Sequence, residues 1–112
     1  MIDIEYTDNN CVLYGHSRPG IPLLVNDDGF VVPACDFLRY RIIKESISLT
    51  SAKTYAEDLQ NFFSFIERNN IKWQKVTDNH LLIWRDWQKV GNQTKNRRLA
   101  TVFAMYVWLE KE

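Results

Sequence analysis

The sequence predicts a mostly α-helical protein, a bundle of four helices preceded by a short β-hairpin. Three observations carry that expectation. Two long stretches, Ile47–Ile66 and Gly91–Leu109, each open on small polar and basic residues and close on an aromatic stripe. Asp28-Gly29 separates the apolar runs Ile21–Val25 and Phe30–Val32, and Gly supplies the positive φ of a tight hairpin turn. A length of 112 residues with 46% hydrophobic and 13% aromatic content suits one folded domain with a real core.

Taken in order, Met1 to His16 shows no strong pattern and reads as a loose tail. Arg18-Pro19-Gly20 reads as a turn, and the hairpin around Asn26–Gly29 completes an amino-terminal segment, residues 1–33. Residues 34–112 form the helical part. Ala34 to Glu45 is the first helix, with Pro33 before it and Ala34, Leu38 and Ile42 on one face. Ser48 caps the second helix, where Tyr55, Leu59, Phe62, Phe63 and Ile66 keep helical spacing until Asn69-Asn70. Lys72–Val76 is a connector. Thr77 caps a third helix with Leu81, Trp84 and Trp87 as core positions and Gln88 near its end. Gly91-Asn92 breaks the chain before the fourth helix, Thr94 to Leu109, whose inner stripe is Leu99, Val102, Phe103, Tyr106 and Leu109.

Formal net charge is zero, but its distribution is uneven. Met1–Leu49 has four Lys/Arg against seven Asp/Glu, a net of −3, while Thr50–Glu112 has ten against seven, a net of +3. Between Trp87 and Leu109 stand Lys89, Lys95, Arg97 and Arg98 with no acid among them. Local clustering is what phosphate binding needs, because salt screens charge beyond about 10 Å. Cys11 and Cys35 lie far apart without metal-ligand spacing and are expected as reduced thiols. No secretory leader pattern and no membrane-length apolar run is present, which predicts a soluble cytoplasmic protein.

Two ordered sets of residues resemble the core-binding domain of tyrosine recombinases, the phage-integrase family. In the second helix they are Ser48, Ser51, Tyr55, Asp58, Leu59, Phe62 and Phe65. In the fourth they are Thr94, Asn96, Arg97, Leu99, Phe103, Trp108 and Leu109, and the Trp73, Val76-Thr77, His80-Leu81 run is similar to the family's connector. The resemblance spans roughly Ala34 to Leu109 and implies a SAM-like bundle that clamps double-stranded DNA together with a C-terminal catalytic domain and other recombinase protomers. It departs from the family at Lys95, which stands where an apolar residue is usual and is expected to snorkel past the core edge. It departs again at Gly91, which replaces the usual Ser cap, so that Asn92 becomes the expected cap.

Physical chemistry adds candidate DNA contacts. Helix starts offer free N–H groups and a positive dipole end to phosphate. Ser51, Lys53 and Thr54 cluster at the start of the second helix; Gln93, Thr94 and Arg97 do so at the fourth. Gln93, Arg97 and Thr101 recur at i, i+4 and i+8, a stripe apart from the core face. Arg and Gln can read base edges, whereas Lys, Ser and Thr mainly hold phosphates. Asp58 is expected to pair with Arg98, leaving Arg97 for DNA, and Lys89 lies outside both helix starts and is expected to contribute little.

No catalytic residue, cofactor site or metal site is expected. Tyr6, Tyr14, Tyr40, Tyr55 and Tyr106 lack a neighbouring His-x-x-Arg constellation, Tyr55 and Tyr106 fall on core stripes, and His16 and His80 are isolated. The resemblance therefore implies a non-catalytic part of a recombinase. The competing reading is a helical protein-interaction domain of the same bundle type without DNA binding. A helix-turn-helix regulator fits less well, because the long second helix has no tight turn to a recognition helix.

Overall fold

The computed structural model describes residues 1–111. Five short strands come first: β1 (Asp3–Tyr6), β2 (Val12–Leu13), β3 (His16–Ser17), β4 (Pro22–Asn26) and β5 (Gly29–Phe30). Four helices follow, α1 (Val32–Ile43), α2 (Leu49–Arg68), α3 (Asp78–Trp87) and α4 (Asn92–Lys111), with a single 3-10 turn at Trp73–Lys75 between α2 and α3. The mostly α-helical bundle and its preceding hairpin are as the sequence predicts.

The hairpin is β4–β5, with Asn26 opposite Gly29 and Gly29 at φ +122°. It belongs to a three-stranded antiparallel sheet of order β1-β4-β5. The expectation of a loose tail is thus corrected: Asp3 to Tyr6 pair with Val25 to Pro22, and β2 pairs with β3. Ile2 and Leu24 are buried in the same core as the helices. The missing signal is strand alternation, because within β1 only Ile4, with Ile2 just before the strand, packs against the core, and the partner strand lies far along the chain.

Helix α1 begins at Val32, with Pro33 in its first turn, where an absent N–H costs nothing. It ends before the expected Glu45, as Ser46 at φ +55° turns the chain away. Ala34, Phe37, Leu38 and Ile42 are buried. Helix α2 is capped by the Ser48 hydroxyl, which accepts the Ser51 N–H at 3.0 Å. Leu59, Phe62, Phe63 and Ile66 are buried as expected, joined by Ala52, Ala56, Phe65 and one acid, Asp58. Thr77 caps α3 in a reciprocal box: its hydroxyl accepts the His80 N–H at 3.3 Å, and its own N–H donates to His80 Nδ1 at 3.0 Å. His80 is therefore a capping residue.

Two core assignments need correction. Trp87 is 47% exposed, so α3 is anchored by Leu81 and Trp84 alone. On α4 the buried residues are Thr101, Val102 and Met105, while Phe103 is exposed and Leu99, Tyr106 and Leu109 are only half-buried. The inner face of α4 is thus rotated from the aromatic stripe towards a threonine, for a reason found in α2.

The centre of the bundle is aromatic. Phe62 meets Phe63, Trp84 and Tyr106 edge-on at 5.3, 5.2 and 6.1 Å between ring centroids. Such pairs add to the burial of their area. The Tyr106 hydroxyl donates to the Trp73 carbonyl at 2.7 Å, tying α4 to the connector.

Candidate nucleic-acid interface

Helices α2 and α4 touch at Asp58 with Arg97 and Thr101, and further along at Phe62 with Tyr106. Sequence number rises together on both sides of the contact, so the helices run in the same direction. Their amino-terminal ends accordingly lie at one end of the bundle. Six of the seven candidate residues, Ser51, Lys53, Thr54, Gln93, Thr94 and Arg97, belong to that end.

Their states differ. Lys53 and Gln93 are exposed, while Ser51, Thr54 and Thr94 are half-buried. The Ser51 Oγ accepts from Ser48 Oγ at 3.0 Å, and Thr54 Oγ1 lies 3.4 Å from the Thr50 carbonyl in a weak back-bond. At the start of α4 the Lys95 N–H bonds the Gly91 carbonyl at 3.1 Å, which puts Gly91 at the cap position. Asn92 is inside the helix and is not the cap. Gly91 has no side chain to offer, so it leaves the first-turn N–H groups uncapped. Lys95 is half-buried, consistent with a stem laid along the bundle edge.

Asp58 organises this end. Its carboxylate is fully buried, and a buried charge persists only where donors surround it. Arg97 donates to it twice, Nη2 to Oδ1 at 2.7 Å and Nε to Oδ2 at 3.3 Å. The Thr101 hydroxyl donates to Oδ2 at 2.9 Å. The expected pairing is therefore corrected. Arg97 is the bidentate partner, and Arg98 Nε stands 3.9 Å from Oδ1 while its Nη1 donates to Gln88 Oε1 at 2.8 Å. The hydrogen bond to Asp58 raises the pKa of Arg97, and the opposing effect of burial is smaller.

Thr101 is corrected too, since it is buried with its hydroxyl committed to Asp58 and faces the interior rather than an outer stripe. This is why α4 turns a threonine inward: the carboxylate needs the donor more than the core needs a ring. Arg97 stays 47% exposed along its side chain. Asp58 takes the Nε–Nη2 edge of the guanidinium and leaves the Nη1–Nη2 end for another acceptor.

The sequence pointed to Asp58 as an interhelical partner of an α4 arginine, but not to its full burial or to Thr101 as a further donor. Gln88 and Asn61, which accept from Arg98 and from the Trp84 indole, had no signal at all. Among the described residues no group of three His, Cys, Asp or Glu could hold a metal ion, and no helix is long and apolar enough to cross a membrane.

The searches of curated proteins and of solved structures returned no match. A family model does match: that of the phage integrase N-terminal SAM-like domain, over residues 35–112. That interval takes in all six candidate residues at the starts of α2 and α4, the Asp58 cluster and nearly all of the helical bundle, well over half of the chain. The chain belongs to the family of the phage integrase N-terminal SAM-like domain.

Proposed function

We propose that this domain binds double-stranded DNA through the shared amino-terminal end of α2 and α4. In that role it is one half of a clamp, completed by a C-terminal catalytic domain of a site-specific recombinase and by neighbouring protomers on the same DNA. Grip and register come from this domain; strand breakage and joining belong to the catalytic domain. The observation that carries the reading is the parallel pairing of α2 and α4, which brings two helix starts, Lys53 and a buttressed Arg97 to one end.

Each feature suits a duplex. Two sets of first-turn N–H groups favour phosphate oxygens. Lys53, Ser51, Thr54 and Thr94 supply sequence-independent phosphate contacts. Gln93 and the remaining end of Arg97 are the groups able to read base edges. Holding Arg97 from behind by Asp58 lowers the entropy lost when it meets a base, because its rotamer is already chosen.

The test is an NMR titration of the chain with a half-site duplex at low salt. Amide shifts should cluster at Ser51–Thr54 and Gln93–Arg97. Lys53→Ala should weaken all sequences alike and lower the slope of log affinity against log salt by about 0.9. Gln93→Ala should lose about 1–3 kcal/mol on the cognate site and relax specificity there. Shifts on Ile21–Val32, or none at all, would overturn the reading and favour a protein-interaction domain.

A further inference from the structure

Beside the Asp58 cluster, α2 from Glu57 to Arg68 forms a depression with the end of α3 and the first turns of α4. It has two lobes of about 290 and 460 Å3, which share Asn61, Trp87 and Arg98. Three cations line it, Arg68, Lys89 and Arg98, against one carboxylate, Glu57.

The groups in it are arranged as donors. Asn61 Oδ1 accepts the Trp84 indole N–H at 2.8 Å, which fixes the amide so that its NH2 is the group left over. Gln88 Oε1 holds Arg98 Nη1 at 2.8 Å, while Arg98 Nε is turned to the buried side, 3.9 Å from Asp58 Oδ1. Trp87 is half-exposed, with the Arg68 guanidinium over its ring at 5.7 Å and Phe65 behind it at 5.6 Å. A concave surface rich in donors and poor in acceptors fits an anion.

We infer that this depression is a second phosphate-binding surface for the same duplex, extending its footprint along α2 from Lys53 to Arg68. This rests on the DNA-binding reading above. Lys53, Glu57, Asn61, Ser64 and Arg68 follow one another at i, i+4, i+8, i+11 and i+15, one face of a single helix, with none of them fully buried. Fifteen residues rise about 22 Å, roughly six base pairs of duplex. A phosphodiester backbone matches that line better than an acidic peptide does. Its charges are evenly spaced, and neutral donors such as Asn61 and Ser64 are ordinary phosphate partners. Arg98 is the hinge of the arrangement: it follows Arg97 in sequence and joins the helix-start contacts to the depression. Lys89, which by sequence stood outside the binding surface, is placed within it.

The experiment measures duplex affinity against salt for the whole chain and for Arg68→Ala, Lys89→Ala and Lys53→Ala. Lys75→Ala, in the connector, is the control. Arg68 and Lys89 are exposed, so thermal melting should not move. Arg68→Ala and Lys89→Ala should each lower the slope by about 0.9, as Lys53→Ala does, and Lys75→Ala should leave it unchanged. If Lys53→Ala lowers the slope and the two groove variants match the parent, the second surface is wrong and the helix-start reading stands. Absence of duplex binding at low salt overturns both. Binding of an oligoglutamate peptide that the groove variants abolish, with duplex slopes unmoved, would assign the depression to an acidic protein partner and overturn the inference.

Discussion

The two halves of α2 solve the same packing problem in opposite ways. In its second half the inner face is Phe62, Phe63, Phe65 and Ile66, with Phe62 packed edge-on against Trp84 and Tyr106. In its first half the inner face is small, Ala52 and Ala56, and then carries a fully buried carboxylate, Asp58. The aromatic half holds by area removed from water, which is non-directional. The acidic half holds by three directed hydrogen bonds, which fix where Arg97 can be. Buried ion pairs contribute little net stability compared with apolar packing. The contrast teaches that α2 is stabilised at one end and made specific at the other, and the specific end is the one that holds Arg97.

The sharpest way to break this comparison is Phe62→Ala. Phe62 is fully buried and touches three other rings, so its loss should cost about 3–5 kcal/mol in denaturant unfolding. A cost below about 1 kcal/mol would mean that the aromatic half is not the anchor.

The ion pair should respond asymmetrically. Arg97→Ala strands a buried carboxylate with one hydroxyl and a distant Arg98, and about 3 kcal/mol is expected. Asp58→Ala leaves a half-exposed guanidinium free to turn to water, so the loss should be about 1–2 kcal/mol. Equal costs would show that Arg97 is as confined as its partner. If Arg97 reads bases as proposed, Asp58→Ala should in addition reduce discrimination between cognate and unrelated duplexes, because the guanidinium is no longer held from behind.

The smallest effect belongs to the rim of the aromatic half. Tyr106→Phe removes one hydrogen bond to Trp73, worth about 1 kcal/mol. Burial raises the Tyr106 pKa above the ordinary phenol range. The unfolded chain therefore loses this proton at a lower pH than the folded one. The stabilisation is complete below about pH 10 and is lost as pH rises through the phenol range towards the raised value. Alkaline unfolding curves should consequently be less steep in Tyr106→Phe than in the parent, and identical curves would place the hydroxyl in water.

By itself the sequence determined the elements whose signals are local. The 3.6-residue rhythm of α2, the Ser48 and Thr77 caps, the Asp28-Gly29 turn and the Asn69-Asn70 stop each depend on neighbours a few positions away, and each is present in the structure. Which basic residues gather at the helix starts was legible for the same reason. Only tertiary structure decided the rest. The pairing of β1 with β4 joins positions about twenty residues apart, and nothing within β1 names its partner. The rotation of α4, which buries Thr101 and exposes Phe103, follows from a carboxylate on another helix. The choice of Arg97 over Arg98 for Asp58 is equally remote from sequence, since adjacent residues on a helix point about 100° apart and only the position of α2 selects one of them.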